Sequence, residues 1–143
     1  MVKNHMKESL SESYSAIYQN EVVELERLQI RWPKHREEAL IKWAGSGNRL
    51  LEIGFGKGTV LYNLHEQFNQ LYGVELSSLR VQKAQDAFEG AGLSNVHLST
   101  GNVEEGLPFK DGHFDCIVWA DVIEHVIDLW TAMEEVRRLL RPQ

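Results

Sequence analysis

The chain has one cysteine and three prolines in 143 residues, and no apolar run near the length of about twenty that a membrane-spanning helix needs. Cys116 alone cannot close an internal disulfide and sits inside an apolar run, so a reducing, cytoplasmic setting is the expectation. The opening stretch MVKNHMKESL lacks the apolar region of a secretory signal. Positive charge is scarce as well: 15 Lys and Arg stand against 21 Asp and Glu, a formal net charge of −6. Nucleic-acid binders usually present a basic face, so that class of partner is not expected. No repeat and no low-complexity tract interrupts the chain. What is present is a hydrophobic fraction of 43%, typical of a globular protein, in a length that allows one domain and one core.

Apolar spacing divides the chain in two. Over residues 1–46 the apolar positions Val22, Leu25, Leu28 and then Ala39, Leu40, Trp43 recur at three- and four-residue intervals, which predicts helices. Pro33 divides that stretch and the glycines of GSGN end it, leaving an N-terminal helical cap. Residues 47–143 read as alternating strand and helix. RLLEIGF, QLYGVEL, NVHLSTGN and FDCIVWAD are the expected strands. TVLYNLHEQF, SSLRVQKAQDAFEGAG and LWTAMEEVRRLLRP are the expected helices. That alternation predicts an α/β fold with a doubly wound, Rossmann-like parallel sheet and right-handed crossovers. LLEI and CIVWA, continuously apolar, are expected to be buried on both faces.

LLEIGFGKGT, residues 50–59, then places three glycines at every second position directly after the first strand. In such sheets ligands bind beyond the C-terminal strand ends. Glycine allows positive φ and admits a ligand against bare backbone, although a tight strand-to-helix turn with no ligand fits the same residues. The dinucleotide fingerprint GxGxxG would need glycine or alanine at position 59, where this chain has Thr59, and a P-loop is interrupted by GKGT. Glu75 ends the second strand about twenty residues on, where an acid accepts hydrogen bonds from ribose hydroxyls. A ribose-containing ligand follows, with no requirement for phosphates.

LLEIGFGKG, LYGVELS, GNVEEGLPFKDGHFDCIVWADVIEHV and EEVRRLLRP, in that order and spacing, resemble the class I S-adenosylmethionine-dependent methyltransferases, of the kind that includes UbiE and UbiG. The resemblance runs from about residue 48 to the end. It implies S-adenosyl-L-methionine as cofactor, S-adenosyl-L-homocysteine as product, and O- or C-methylation of a small-molecule acceptor. It also implies a cofactor loop of Glu52, Gly54, Phe55, Gly56 and Gly58, a ribose contact at Glu75, and adenine contacts at Leu76, Asn102 and Val103. Ala120 and Asp121 would flank the methionine portion. For several of these a plainer role also fits: Glu52 orienting the turn, Asn102 as a turn residue, Leu76 and Val103 as core. A methyltransferase-like module that binds without turnover is the alternative function, and an NAD-dependent oxidoreductase, against which the glycine spacing counts, a third.

His125 follows the fourth strand, where an acceptor would approach; it is a candidate general base, or a residue packed on its own short helix. Asp121, Glu124 and His125 stand at i, i+3 and i+4, which a helical turn would bring to one side. Some quinone-biosynthesis O-methyltransferases bind a divalent cation with a similar set, but the shorter aspartate here argues against a metal, and none is expected. The resemblance further implies an N-terminal substrate lid, for which Tyr14, Tyr18, Trp32, His35 and Arg36 are candidates. Finally, it implies a sheet ordered 3-2-1-4 with later strands missing after RRLLRPQ, hence a fragment of a longer product. The fourth strand would then be an exposed edge, open to self-association.

Overall fold

A computed structural model of the chain describes residues 11–25 and 35–142. Trp32 and Pro33, with the rest of 26–34 and 1–10, lie outside the described residues. Four parallel strands form one sheet in the order β3-β2-β1-β4, as the sequence predicts. β1 (Gly47–Ile53) is central, and β2 (Phe68–Glu75), β3 (Val96–Thr100) and β4 (Cys116–Trp119) follow in sequence. The register sets Leu50 opposite Leu71 on one side and Cys116 on the other. Leu50 and Leu51 are fully buried because a central parallel strand is covered on both faces.

α1 (His35–Ala44), α2 (Thr59–Leu64) and α3 (Ser78–Gly90) cover one face, and α4 (Leu129–Leu139) the other. Leu50, Leu61, Leu71 and Phe88 centre the first core; Leu51, Ile53, Phe114 and Leu139 centre the second. Leu40, Ile41 and Ala44 of α1 pack on the first core, so the described part of the N-terminal cap shares it. Side-chain caps fix two helix starts. Ser77 Oγ accepts from the Arg80 N–H at 3.3 Å, and Asp128 Oδ1 from the Thr131 N–H at 3.1 Å.

Three elements depart from the sequence reading. The helix expected over 59–68 stops at Leu64, because Phe68 is taken into β2 opposite Gly47 and is almost wholly buried there. Asn95 Nδ2 donates to the freed carbonyls of His65 and Phe68 at 2.7 and 3.2 Å. Near the N-terminus, residues 11–17 are helical but 18–24 are turn and irregular chain. Lys83 Nζ donates to the carbonyls of Tyr18, Gln19 and Glu21, which satisfies backbone that a continued helix would otherwise use. β4 is not buried on both faces as CIVWA suggests; only Val118 is buried, because the strand lies at the sheet edge. Its start is met by the chain leaving α4, where Phe114 and Leu140 form a parallel bridge.

Candidate functional site

The C-terminal strand ends open on a cavity of about 180 Å³ lined from all four strands and from the N-terminal segment. Ile53 and Gly54 come from β1, Val74, Glu75 and Leu76 from β2, Gly101, Asn102 and Val103 from after β3, and Asp121 and His125 from after β4. Tyr14 and Tyr18 form a further wall. Of the residues singled out in the sequence, Gly54, Glu75, Leu76, Asn102, Val103, Asp121 and His125 therefore meet in one cleft. Phe55 does not join them: its side chain belongs to the first core, 4% exposed. Glu52, Gly56, Gly58 and Ala120 are not among the lining residues.

The glycine turn shows why each glycine is required. All three have positive φ, 72° at Gly54, 58° at Gly56 and 83° at Gly58. A side chain at Gly54 would meet Val122 Cγ2 at 2.1 Å, and one at Gly58 the Phe88 ring at 2.7 Å. Protein packing alone thus excludes larger residues at both. Gly56 differs, since the nearest atom to an added Cβ is Arg80 Nη1 at 3.8 Å. Of the trio, it alone would make no clash, only an ordinary van der Waals contact.

Glu75 is buried, 6% exposed, and anchored by backbone. Oε2 accepts from the Gly56 N–H at 3.0 Å, and Oε1 from the Leu76 and Ser77 N–H groups at 2.9 and 3.2 Å. These bonds use three of roughly four acceptor positions on a carboxylate. They also tie the glycine turn directly to the end of β2. Glu52 lies on the other side of the turn, and burial, its largest influence, pushes its carboxyl up to about 8. A hydrogen bond from the Leu61 backbone opposes that shift, while the charge of Glu75 adds to it. Its Oε2 is buried with no hydrogen-bond partner among the described groups.

Asn102 caps the 3-10 turn Val103–Glu105: Oδ1 accepts from the Glu104 N–H at 3.0 Å, and Nδ2 donates to Glu105 Oε1 at 3.2 Å. Glu104 in turn accepts the N–H groups of Ile127 and Asp128 at 3.1 and 2.6 Å, which holds the loop after β4 against the cleft. That bracket had no signal in the sequence, because one side chain takes up backbone groups more than twenty residues away. Arg80 was missed too, although a basic residue in the first turn of a helix that opens beside an acidic strand end was a usable clue. Asp121, Glu124 and His125 do not assemble as a helical turn would place them. Asp121 has φ 54°, and Ile123–His125 is a 3-10 turn, so the i, i+3, i+4 face is never formed. Asp121 and His125 line the cleft and Glu124 does not, and among the described residues no group of three His, Cys, Asp or Glu is placed to hold a metal ion.

A methyltransferase domain profile matches residues 51–143. The chain belongs to the class I S-adenosylmethionine-dependent methyltransferase family. Among curated relatives of this chain, protein-L-isoaspartate O-methyltransferase of Brucella anthropi is 36% identical over 53% of this chain and 35% of its own length. The ubiquinone/menaquinone biosynthesis C-methyltransferase UbiE of Vibrio cholerae is 30% identical over 69% of this chain and 39% of its own. The crystal structure of YcgJ from Bacillus subtilis superposes with a TM-score of 0.69 at 30% identity, over 76% of this chain and 47% of that one. The chain spans between 29% and 51% of the curated relatives it matches. No described helix of the chain is long and apolar enough to cross a membrane.

Proposed function

We propose that the chain binds S-adenosyl-L-methionine in the cleft at the strand ends and transfers its methyl group to a small-molecule acceptor. The observation that carries this reading is Glu75, a buried carboxylate fixed by three N–H groups with one acceptor position left, 3.0 Å from the Gly56 nitrogen of the glycine turn. An adenosyl group fits these surroundings. The vacant position suits a ribose hydroxyl, and at Gly56 no close contact hinders approach to the backbone. Leu76 and Val103 offer apolar walls to a base, with Asn102 at its edge.

When bound, the cofactor supplies a methyl group already activated on a sulfonium, so the protein has only to align an acceptor and take up its proton. Asp121 and His125, on the exposed side of the cleft, stand where an acceptor enters. His125 is the general base of this reading: an imidazole nitrogen receives the proton of an acceptor hydroxyl as the oxygen takes the methyl. The relatives' names, a protein-L-isoaspartate O-methyltransferase and a ubiquinone/menaquinone biosynthesis C-methyltransferase, differ too much to assign an acceptor here.

Isothermal titration with S-adenosyl-L-homocysteine and with NAD tests the cofactor. The first should bind and the second should not; the reverse result overturns the reading. Glu75→Ala should weaken binding of S-adenosyl-L-homocysteine by roughly 1–3 kcal/mol, because it leaves ribose hydroxyls unpaired. An unchanged affinity removes Glu75 from the site.

A further inference from the structure

We propose that residues 11–21 form a strap over the nucleoside end of the cleft, and that Arg80 is the positioning residue that couples closure of the strap to binding of the cofactor. The inference rests on the cofactor reading of the cleft given above.

Four tethers fasten the strap to the stretch after β2, and a further ion pair, Lys57 Nζ to Glu21 Oε1 at 3.7 Å, fastens it to the glycine turn. Ser11 Oγ donates to the Leu76 carbonyl at 2.9 Å, and the Ser15 and Ser77 hydroxyls meet at 3.1 Å. Lys83 Nζ holds the carbonyls of Tyr18, Gln19 and Glu21. Arg80 grips Glu21 with a two-pronged pair, Nε to Oε2 at 2.7 Å and Nη2 to Oε1 at 3.0 Å. The first four land between residues 76 and 83, the stretch that continues directly from Glu75. The strap is therefore fixed to the side of the cleft that presents the ribose carboxylate, and not to the 121–125 side where an acceptor enters. Tyr14 and Tyr18, read from the sequence as acceptor contacts, stand on the nucleoside side.

One guanidinium links the strap to the site. Arg80 Cζ lies 3.2 Å from the centre of the Tyr18 ring, and Nη1 lies 4.0 Å from Glu75 Oε2, the oxygen that also receives the Gly56 N–H. Arg80 and Glu21 side chains are 17% and 14% exposed, so the pair is shielded from the water and salt that weaken surface pairs. A closed strap holds Arg80 beside the carboxyl group that this reading pairs with a ribose hydroxyl. A filled cleft, in turn, gives Tyr14 and Tyr18 a surface to pack on. Each event favours the other, and the coupling is reciprocal by thermodynamic necessity.

Hydrogen exchange read by mass spectrometry on the whole chain tests this, with titration of S-adenosyl-L-homocysteine alongside. Without ligand, Arg80→Gln should speed exchange across residues 11–21 about tenfold and leave the β1 and β2 peptides unchanged. Lys83→Met, which frees the strap without touching Glu75, should speed strap exchange likewise and weaken ligand binding less than Arg80→Gln does. The charge-swapped pair Glu21→Arg with Arg80→Glu, made in a Lys57→Gln background so that the new arginine does not face Lys57, should restore strap protection but not affinity, since it sets a second carboxylate beside Glu75. In the unaltered chain, ligand should slow strap exchange. Wild-type strap exchange in Arg80→Gln overturns the latch, and full recovery of affinity in the swapped pair overturns the role of Arg80 beside Glu75. Ligand that binds without slowing strap exchange overturns the coupling. Ligand that fails to bind the unaltered chain overturns the cofactor reading and the coupling with it, while the ligand-free arm still decides the latch.

Discussion

Glu52 carries the largest perturbation at the level of single residues, and its sign is the reverse of a salt-bridged carboxylate. Burial raises its pKa from an ordinary 4.5 to about 8, so over that interval the folded chain holds a proton that the unfolded chain has released. This group's contribution to stability is complete below about pH 4.5. It falls as pH rises, by up to roughly 1.4 kcal/mol per unit, and levels off above about pH 8. Glu52→Gln keeps the shape and neutrality of the protonated side chain. Urea unfolding between pH 5.5 and 8 should show a flatter pH dependence in the variant, with the two proteins nearest in stability at the acid end. Parallel slopes would mean that Glu52 is ionised in the fold. Gly73 shows a different constraint: an added Cβ would meet Leu61, Leu98 and Phe55, each at 2.7 Å, so the middle of β2 is glycine for packing reasons.

Among the elements, α4 and the loop before it hold the Asp121–His125 side of the cleft through a short chain of bonds. Asp128 caps α4 through the Thr131 N–H and hydroxyl, and its own N–H goes to Glu104. Asp128→Ala removes the cap and keeps the backbone bond, so it should cost about 1 kcal/mol of stability with the fold intact. Calorimetry should show the lower melting temperature, and an unchanged one would mean that the cap is idle. β1 and the glycine turn were legible in the sequence because their evidence is local: a buried apolar run, then three glycines whose φ angles demand that residue. Glu75 was legible by its distance along the chain from the turn. Arg80 pairing with Glu21, 59 residues away, was not, because nothing in either neighbourhood names the other. Phe68 leaving its expected helix for β2 was hidden for the same reason: the decision rests with Gly47 across the sheet. The Asp121–Glu124–His125 set misled because its spacing has meaning only on an α-helix, and a positive φ at Asp121 prevents one.

At the scale of the molecule, the sheet is covered on both faces but not at both edges. Beyond the Phe114–Leu140 bridge, the outer side of β4 has no strand partner among the described residues. Beside it lies an apolar groove formed with Ala39, Leu40, Trp43 and Ala44 of α1. Open apolar edges recruit further backbone, and a second copy of the chain is the partner always at hand. Light scattering should therefore show mass rising with concentration, and Trp43→Glu, at an exposed position, should reduce it. A monodisperse monomer over a wide concentration range would remove self-association through β4.

Trp43, 86% exposed on the rim of that groove, is also an optical probe built into the chain. While the edge is open its indole faces water and should emit at the long-wavelength end of the tryptophan range. Backbone settling along β4 would exclude that water and move the emission to the blue, and an external quencher such as iodide would lose access to the ring. With the other tryptophans, Trp32, Trp119 and Trp130, replaced by phenylalanine, occupancy of the edge can thus be followed by fluorescence in dilute solution.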